Sequence, residues 1–200
     1  MKVRINKITR NSLVDGPGKR NVVFFQGCSI HCEGCQNKHL WDADGGHLFD
    51  VNVIARELLM ETNLVTISGG EPFQQPEGLL ALLAEIKHYR PQAKTLVYSG
   101  YKFEALLSDY PEHMEYIDIL VDGPFIAKQD DPLIMWMGSR NQRAIDVPTS
   151  LLVGGIAPIE WGVPELILDT NGTVFGPIGI IDDFQGAGQI KETRRCGQTR

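Results

Sequence analysis

Cys28, Cys32 and Cys35 fall within eight residues in a C-x3-C-x2-C spacing, leaving Cys196 alone near the end of the chain. Thiolates are soft ligands that select zinc, Cu(I) or iron–sulfur clusters. A closed 4Fe–4S site takes four cysteines, and a structural zinc site takes four ligands. Three cysteines would leave one iron of a 4Fe–4S cluster without a protein ligand and open to a chelating substrate. Spacing alone also admits a zinc site completed by His31, His39 or Cys196. Cys196 stands in a polar tail and reads as unrelated to the cluster of thiols.

A second segment gives the first more weight. Ser68-Gly69-Gly70-Glu71-Pro72 follows the cysteine loop by about the length of one βα unit. Glycines lack side chains, so the backbone there can approach a ligand closely and offer it amide and carbonyl groups. Alone, such a turn says little, because Gly-Gly and Glu-Pro simply end strands.

These loops need elements to hold them. Asn21 to Gln26 reads as a buried strand that delivers the chain into the cysteines. Val51 to Met60 has the apolar spacing of an amphipathic helix, and Leu64 to Ser68 is a β-branched strand ending at Gly69. Leu79, Leu82, Leu83 and Ile86 recur at helical spacing until Pro91. Thr95 to Tyr98 is a third strand, Phe103 to Leu107 a short helix, and Ile117 to Val121 a fourth strand. Strand and helix in alternation imply a parallel sheet, whose ligands gather at Gly-rich turns after the strands. Four units are too few for a complete eight-fold barrel, so the α/β fold expected is a partial, open βα barrel.

Beyond Phe125 the periodicity weakens, and 130–143 reads as a loop. Leu166 to Asp169 and Thr173 to Phe175 flank Asn171-Gly172, which signals a hairpin. The expected layout is a domain over 1–150, a C-terminal β extension over 151–181 and a mobile polar tail over 182–200.

Composition narrows the class. A chain of 200 residues, 42% hydrophobic, can bury one substantial core. Its net charge of −6 argues against a nucleic-acid partner. The first residues lack the pattern of a signal peptide and no run is apolar enough to span a membrane, so a soluble, cytoplasmic protein is expected.

The cysteine loop and the GGEP turn together resemble the signature of the radical S-adenosylmethionine (SAM) superfamily. Further matches resemble the activating enzymes of glycyl radical enzymes: Val14-Asp15-Gly16-Pro17-Gly18 with Arg20, Gln26-Gly27-Cys28, and Cys35-Gln36-Asn37 with Trp41. Ser99-Gly100-Tyr101, Leu120 to Phe125 (LVDGPF) and Gly138 to Arg143 (GSRNQR) are similar to the activating proteins of anaerobic ribonucleoside-triphosphate reductase. Many radical SAM enzymes carry an aromatic residue before the third cysteine; Gly34 here matches the reductase activators instead.

The resemblance implies that Cys28, Cys32 and Cys35 bind a 4Fe–4S cluster. Gly34, Cys35 and Gln36 would lie beside SAM, Gly69, Gly70 and Glu71 would hold its amino end, and Ser99 and Asp122 would border the same pocket. Reductive cleavage of SAM would then produce a 5′-deoxyadenosyl radical that removes hydrogen from a glycine of the reductase. The partners implied are that reductase and a one-electron donor such as flavodoxin or ferredoxin, with no nucleic acid and no membrane. Activation of a pyruvate formate-lyase type of enzyme, a small-molecule reaction like that of 7-carboxy-7-deazaguanine synthase, and a zinc-stabilised binding module are the alternatives.

Other residues carry two readings each. Arg20 either follows a plain turn or stands near the active-site mouth. His31 reads as a solvent-facing loop residue, and Trp41 as packing under the cysteine loop. Tyr101 either touches adenine or lies at the rim. Gly138 to Arg143 either docks the partner or forms a polar loop.

Overall fold

The computed structural model describes residues 1–131 and 133–161, together with the strand backbones at 167–168 and 174–175. Seven strands form one open mixed sheet in the order β3-β1-β2-β4-β5-β6-β7. Its centre is parallel: β2 (Arg20–Phe25), β4 (Leu64–Gly69), β5 (Lys94–Ser99) and β6 (Ile119–Asp122) run the same way. Antiparallel strands flank it, with β1 (Lys2–Ser12) and β3 (His47–Asp50) on one side and β7 (Arg143–Asp146) on the other.

The crossovers are helices. α1 (Val51–Leu58) links β3 to β4, and α2 (Pro76–Tyr89) links β4 to β5. α3 (Phe103–Asp109) and α4 (Pro111–Met114) link β5 to β6, and α5 (Val147–Val153) follows β7. Leu79, Leu82, Leu83 and Ile86 are all fully buried, on the stripe that their spacing prescribes. They pack with Ile54 and Leu58 of α1 onto Val23, Phe25, Ile67 and Val97. Alternate residues of the same strands point the other way. There Val22 and Phe24 pack with Leu40, and Leu96, Val121 and Ala144 gather Tyr98, Met137 and Trp161.

The four expected strands and three expected helices stand within a few residues of their anticipated limits. β1, β3 and β7 are additions. β1 buries Val3, Ile5 and Ser12 and leaves its other residues half-buried or exposed, and β3 is exposed throughout, so neither carries a continuous apolar run. Arg143, expected to close a loop, instead starts β7. α5 runs across the expected boundary at residue 150. In the C-terminal part, β8 (Ile167–Leu168) pairs antiparallel with β9 (Val174–Phe175), inside the anticipated hairpin. Its Asn171-Gly172 turn, the tail over 182–200 and Cys196 lie outside the described residues. Among the described residues, no helix is long and apolar enough to cross a membrane.

Candidate functional site

β2 is buried at every position and ends at Phe25, where the chain enters the cysteine loop. That loop is closed at its base like a purse. Gly27 N–H donates to Leu40 O at 2.8 Å, and Cys28 N–H donates to Trp41 O at 3.2 Å. The Gln26 side chain reinforces the closure through Nε2, which donates to Asp42 O at 2.7 Å. Inside the loop, Cys35 N–H donates to Cys32 O at 3.1 Å. All three cysteines are free and half-buried.

Backbone N–H groups are aimed at the sulfurs. Asn37 N–H points to Cys35 Sγ at 3.4 Å. Burial pushes the Cys28 thiol up, while the N–H groups of Ile30 and His31 pull it back toward thiolate. Among the described residues, no three His, Cys, Asp or Glu side chains converge as they must around a single ion. Thiolates of a cluster each bind a different iron and need no such convergence.

The GGEP turn crosses this loop from beneath. Gly69 has φ +116°, and a Cβ there would overlap the Phe25 backbone; one on Gly70 would overlap the Gly27 carbonyl. Only glycine permits that approach. The N–H of Gly70 donates to Phe25 O at 2.9 Å, and the N–H of Glu71 donates to Gly27 O at 2.8 Å. The glycines therefore serve first to lock β4 onto the exit of β2, and these two amides are not free for a ligand.

Glu71 is fully buried. Its Oε1 accepts from Phe73 N–H and Ser99 Oγ, both at 3.0 Å, and its Oε2 accepts from Gly100 N–H at 2.7 Å. Burial pushes its carboxyl up to about 7, against the pull of these three donors. Ser99 thus faces Glu71. The Ile30 side chain of the cysteine loop rests on Gly100, where a Cβ would push its terminal methyl aside. The ends of β2, β4 and β5 are joined at one place.

Asp122 also turns inward. It is fully buried, accepts from Phe103 N–H at 2.7 Å and from Arg143 Nε at 2.9 Å, and forms an ion pair with Arg143. Arg143 in turn holds Glu104 at 2.9 Å. The segment from Gly138 folds back on the loop after β6: Asn141 Nδ2 donates to Pro124 O at 2.7 Å and Gln142 Nε2 to Gly123 O at 2.9 Å. These polar side chains are spent within the chain. Arg140 is exposed and pairs with Asp131 at 2.7 Å.

One functional reading is overturned. Arg20 is buried at the start of β2, away from the strand ends that carry the cysteines. Its guanidinium donates to Thr66 Oγ1 and Val65 O, both at 2.7 Å, and to Lys94 O at 3.1 Å, tying together the first residues of three parallel strands. His31 is exposed and stacks on Trp41 with ring centroids 4.4 Å apart. Tyr101 lies at the rim, 38% exposed. Gln74 and Gln75 were not anticipated. Gln74 Oε1 accepts from Ser29 N–H at 3.1 Å, and Gln75 Nε2 donates to Gln26 O at 3.0 Å, so both hold the cysteine loop to the turn after Glu71. No spacing rule marks a glutamine that bonds backbone far away in sequence.

The family model of 4Fe–4S single cluster domains matches residues 14–145. A protein of Haemophilus influenzae is 35% identical over 139 residues, which is 65% of this chain and 89% of that protein. One of Enterobacteria phage T4 is 35% identical over 137 residues, 65% of this chain and 85% of its own length. One of Escherichia coli K12 is 32% identical over 139 residues, 65% of this chain and 90% of its own. Each of the three is named anaerobic ribonucleoside-triphosphate reductase-activating protein.

Proposed function

We propose, on the premise that this chain belongs to the 4Fe–4S single cluster domain family of anaerobic ribonucleoside-triphosphate reductase-activating proteins, that it activates such a reductase by making a glycyl radical on it. The observation that carries the reading is the locking of the cysteine loop to the GGEP turn at the ends of three parallel strands. Ligands of parallel sheets gather at such ends.

The donor set fits a cluster. Cys28, Cys32 and Cys35 are free, and they lie on a loop fixed at its base. N–H groups directed at sulfur favour thiolate and tune iron–sulfur centres. These three residues would hold the 4Fe–4S cluster. A reduced cluster held there would supply the one electron for reductive cleavage of SAM, the chemistry that hydrogen removal from the partner's glycine requires.

The chain's own residues bind and orient. Exposed Gly34 and Gln36 flank half-buried Cys35 in the turn beside which SAM would lie. With the Gly70 and Glu71 amides taken and Glu71 O already accepting from Gln74 N–H, the Gly69 and Gly70 carbonyls would be the groups that meet an amino group. Glu71 and Ser99 set the position of that turn, and Asp122 sets the loop after β6. The open sheet supports the reading of a partial barrel of the radical SAM type, which would leave an edge for a protein loop. Residues 1–150 would be the catalytic domain and 151–181 an extension. A flavodoxin or ferredoxin in the cytoplasm suits the electron supply.

The test is anaerobic reconstitution with iron and sulfide, reduction, addition of SAM and the reductase, and electron paramagnetic resonance. A glycyl radical doublet with 5′-deoxyadenosine and methionine is expected. SAM cleavage without the doublet would reject this partner, and a colourless chain without cleavage would reject the cluster.

A further inference from the structure

The ring of Phe125 lies between two glycines. A Cβ on Gly34 would stand 3.4 Å from Phe125 Cε1 and 3.0 Å from Ala127 Cβ. A Cβ on Gly138 would stand 3.0 Å from Phe125 Cδ2 and 3.4 Å from Cε2, at the other edge of the ring. Two stretches of backbone, one of them the residue directly before Cys35, therefore rest against the same aromatic side chain. Gly34 has φ +76°, so the turn also needs glycine for its backbone.

The loop that carries Phe125 is held at successive residues. Gly123 O and Pro124 O accept from Gln142 and Asn141, and Ile126 N–H donates to Ser139 Oγ at 3.1 Å. Ser139 is fully buried, and its Oγ donates to Asn141 Oδ1 at 2.7 Å. Gln142 Oε1 accepts from Gly138 N–H at 2.7 Å, which shapes the second glycine against the ring. The ion pair between buried Asp122, at the start of the Phe125 loop, and half-buried Arg143, at the end of the 138–143 segment, ties both to the sheet. So dense a set of bonds leaves the ring little freedom to move.

We propose that Phe125 is a positioning residue for the Cys32–Cys35 turn: it fixes the third thiolate and screens it from water, and Gly138 to Arg143 is its clasp rather than a surface for the partner. This rests on the reading of Cys28, Cys32 and Cys35 as cluster ligands. Packing and solvent exposure around a cluster tune both its retention and its reduction potential.

The full chain would be reconstituted anaerobically as wild type, F125A, F125L and N141A. Iron release to a chelator and the midpoint potential, from a titration followed by electron paramagnetic resonance, would be measured on each. F125A should release iron about 10-fold faster, the usual scale for losing an outer contact of a metal ligand. Its potential should rise, because water reaching the cluster stabilises the more highly charged reduced form. F125L, which refills the volume, should restore both values, and N141A should shift them the same way by less. F125A at wild-type values in both measurements overturns the proposal. If F125A fails to fold, N141A at wild-type values overturns it. A wild-type chain that takes up no cluster, or a C35A variant that keeps one, instead overturns the ligand reading, before any Phe125 variant is compared.

Discussion

Ser99 Oγ donates to Glu71 Oε1 at 3.0 Å, joining the end of β5 to the turn after β4 in a region where the carboxylate is fully buried. Removing that carboxylate leaves the N–H groups of Phe73 and Gly100 and the Ser99 hydroxyl without their acceptor. Orphaning buried donors is expected to cost about 3 kcal/mol in Glu71→Ala. For a chain of this size that lowers the melting temperature by about 10 °C, measurable by calorimetry.

The same residue sets a pH dependence. Its folded carboxyl titrates at about 7, above the ordinary 4.5. The folded state therefore binds more protons than the unfolded one between those values, and stability falls as pH rises through that window. Glu71→Gln removes the titrating group, so its melting temperature should change less between the two limits than that of the wild type. An unchanged slope would mean that Glu71 titrates normally.

Arg20 separates stability from chemistry. Burial brings its guanidinium down to about 10, so it stays charged at neutral pH while bonding three strand starts. Arg20→Met should cost about 3 kcal/mol, because buried acceptors lose their donors. The spectrum of the cluster per bound iron should not change. Denaturant unfolding and electron paramagnetic resonance on one preparation would measure both.

Arg143 holds two carboxylates of unequal worth. Asp122 is buried, and truncating it orphans the Phe103 N–H while Arg143 keeps only Glu104; Asp122→Ala should cost about 3 kcal/mol. Glu104 is pulled down to about 2 by its bonds from Arg143, but it is mostly exposed. Glu104→Ala should cost at most about 1 kcal/mol. Urea denaturation of the two variants would rank them.

Cys28→Ala, Cys32→Ala and Cys35→Ala should each abolish visible absorption and SAM cleavage together, whereas Cys196→Ala should affect neither. Gly70→Ala forces a Cβ into the Gly27 carbonyl, one residue from Cys28, so it should lose iron faster than the wild type. Absorption of the reconstituted variants in the presence of a chelator is the measurement.

The chemistry of this protein is legible in one dimension because the residues proposed to hold its cluster are local. Three thiolates within eight residues must share a loop, and a Gly-Gly-Glu-Pro run after a β-branched strand must form a turn at a strand end. The central strands and α2 were equally plain, since apolar periodicity reports burial directly. What only the tertiary structure decided are the long-range partners of polar groups. Glu71 and Asp122 read as ligand-pocket residues, yet their oxygens are directed at Ser99, Gly100, Phe103 and Arg143. Arg20, which the sequence leaves between a plain turn and the active-site mouth, lies at the opposite ends of the strands. Phe125 meets Gly34 across 91 residues of chain. The reason is physical: a hydrophobic side chain needs only to be inside, and its period says so, whereas a buried polar group must meet one particular partner, which the folded backbone alone brings within reach.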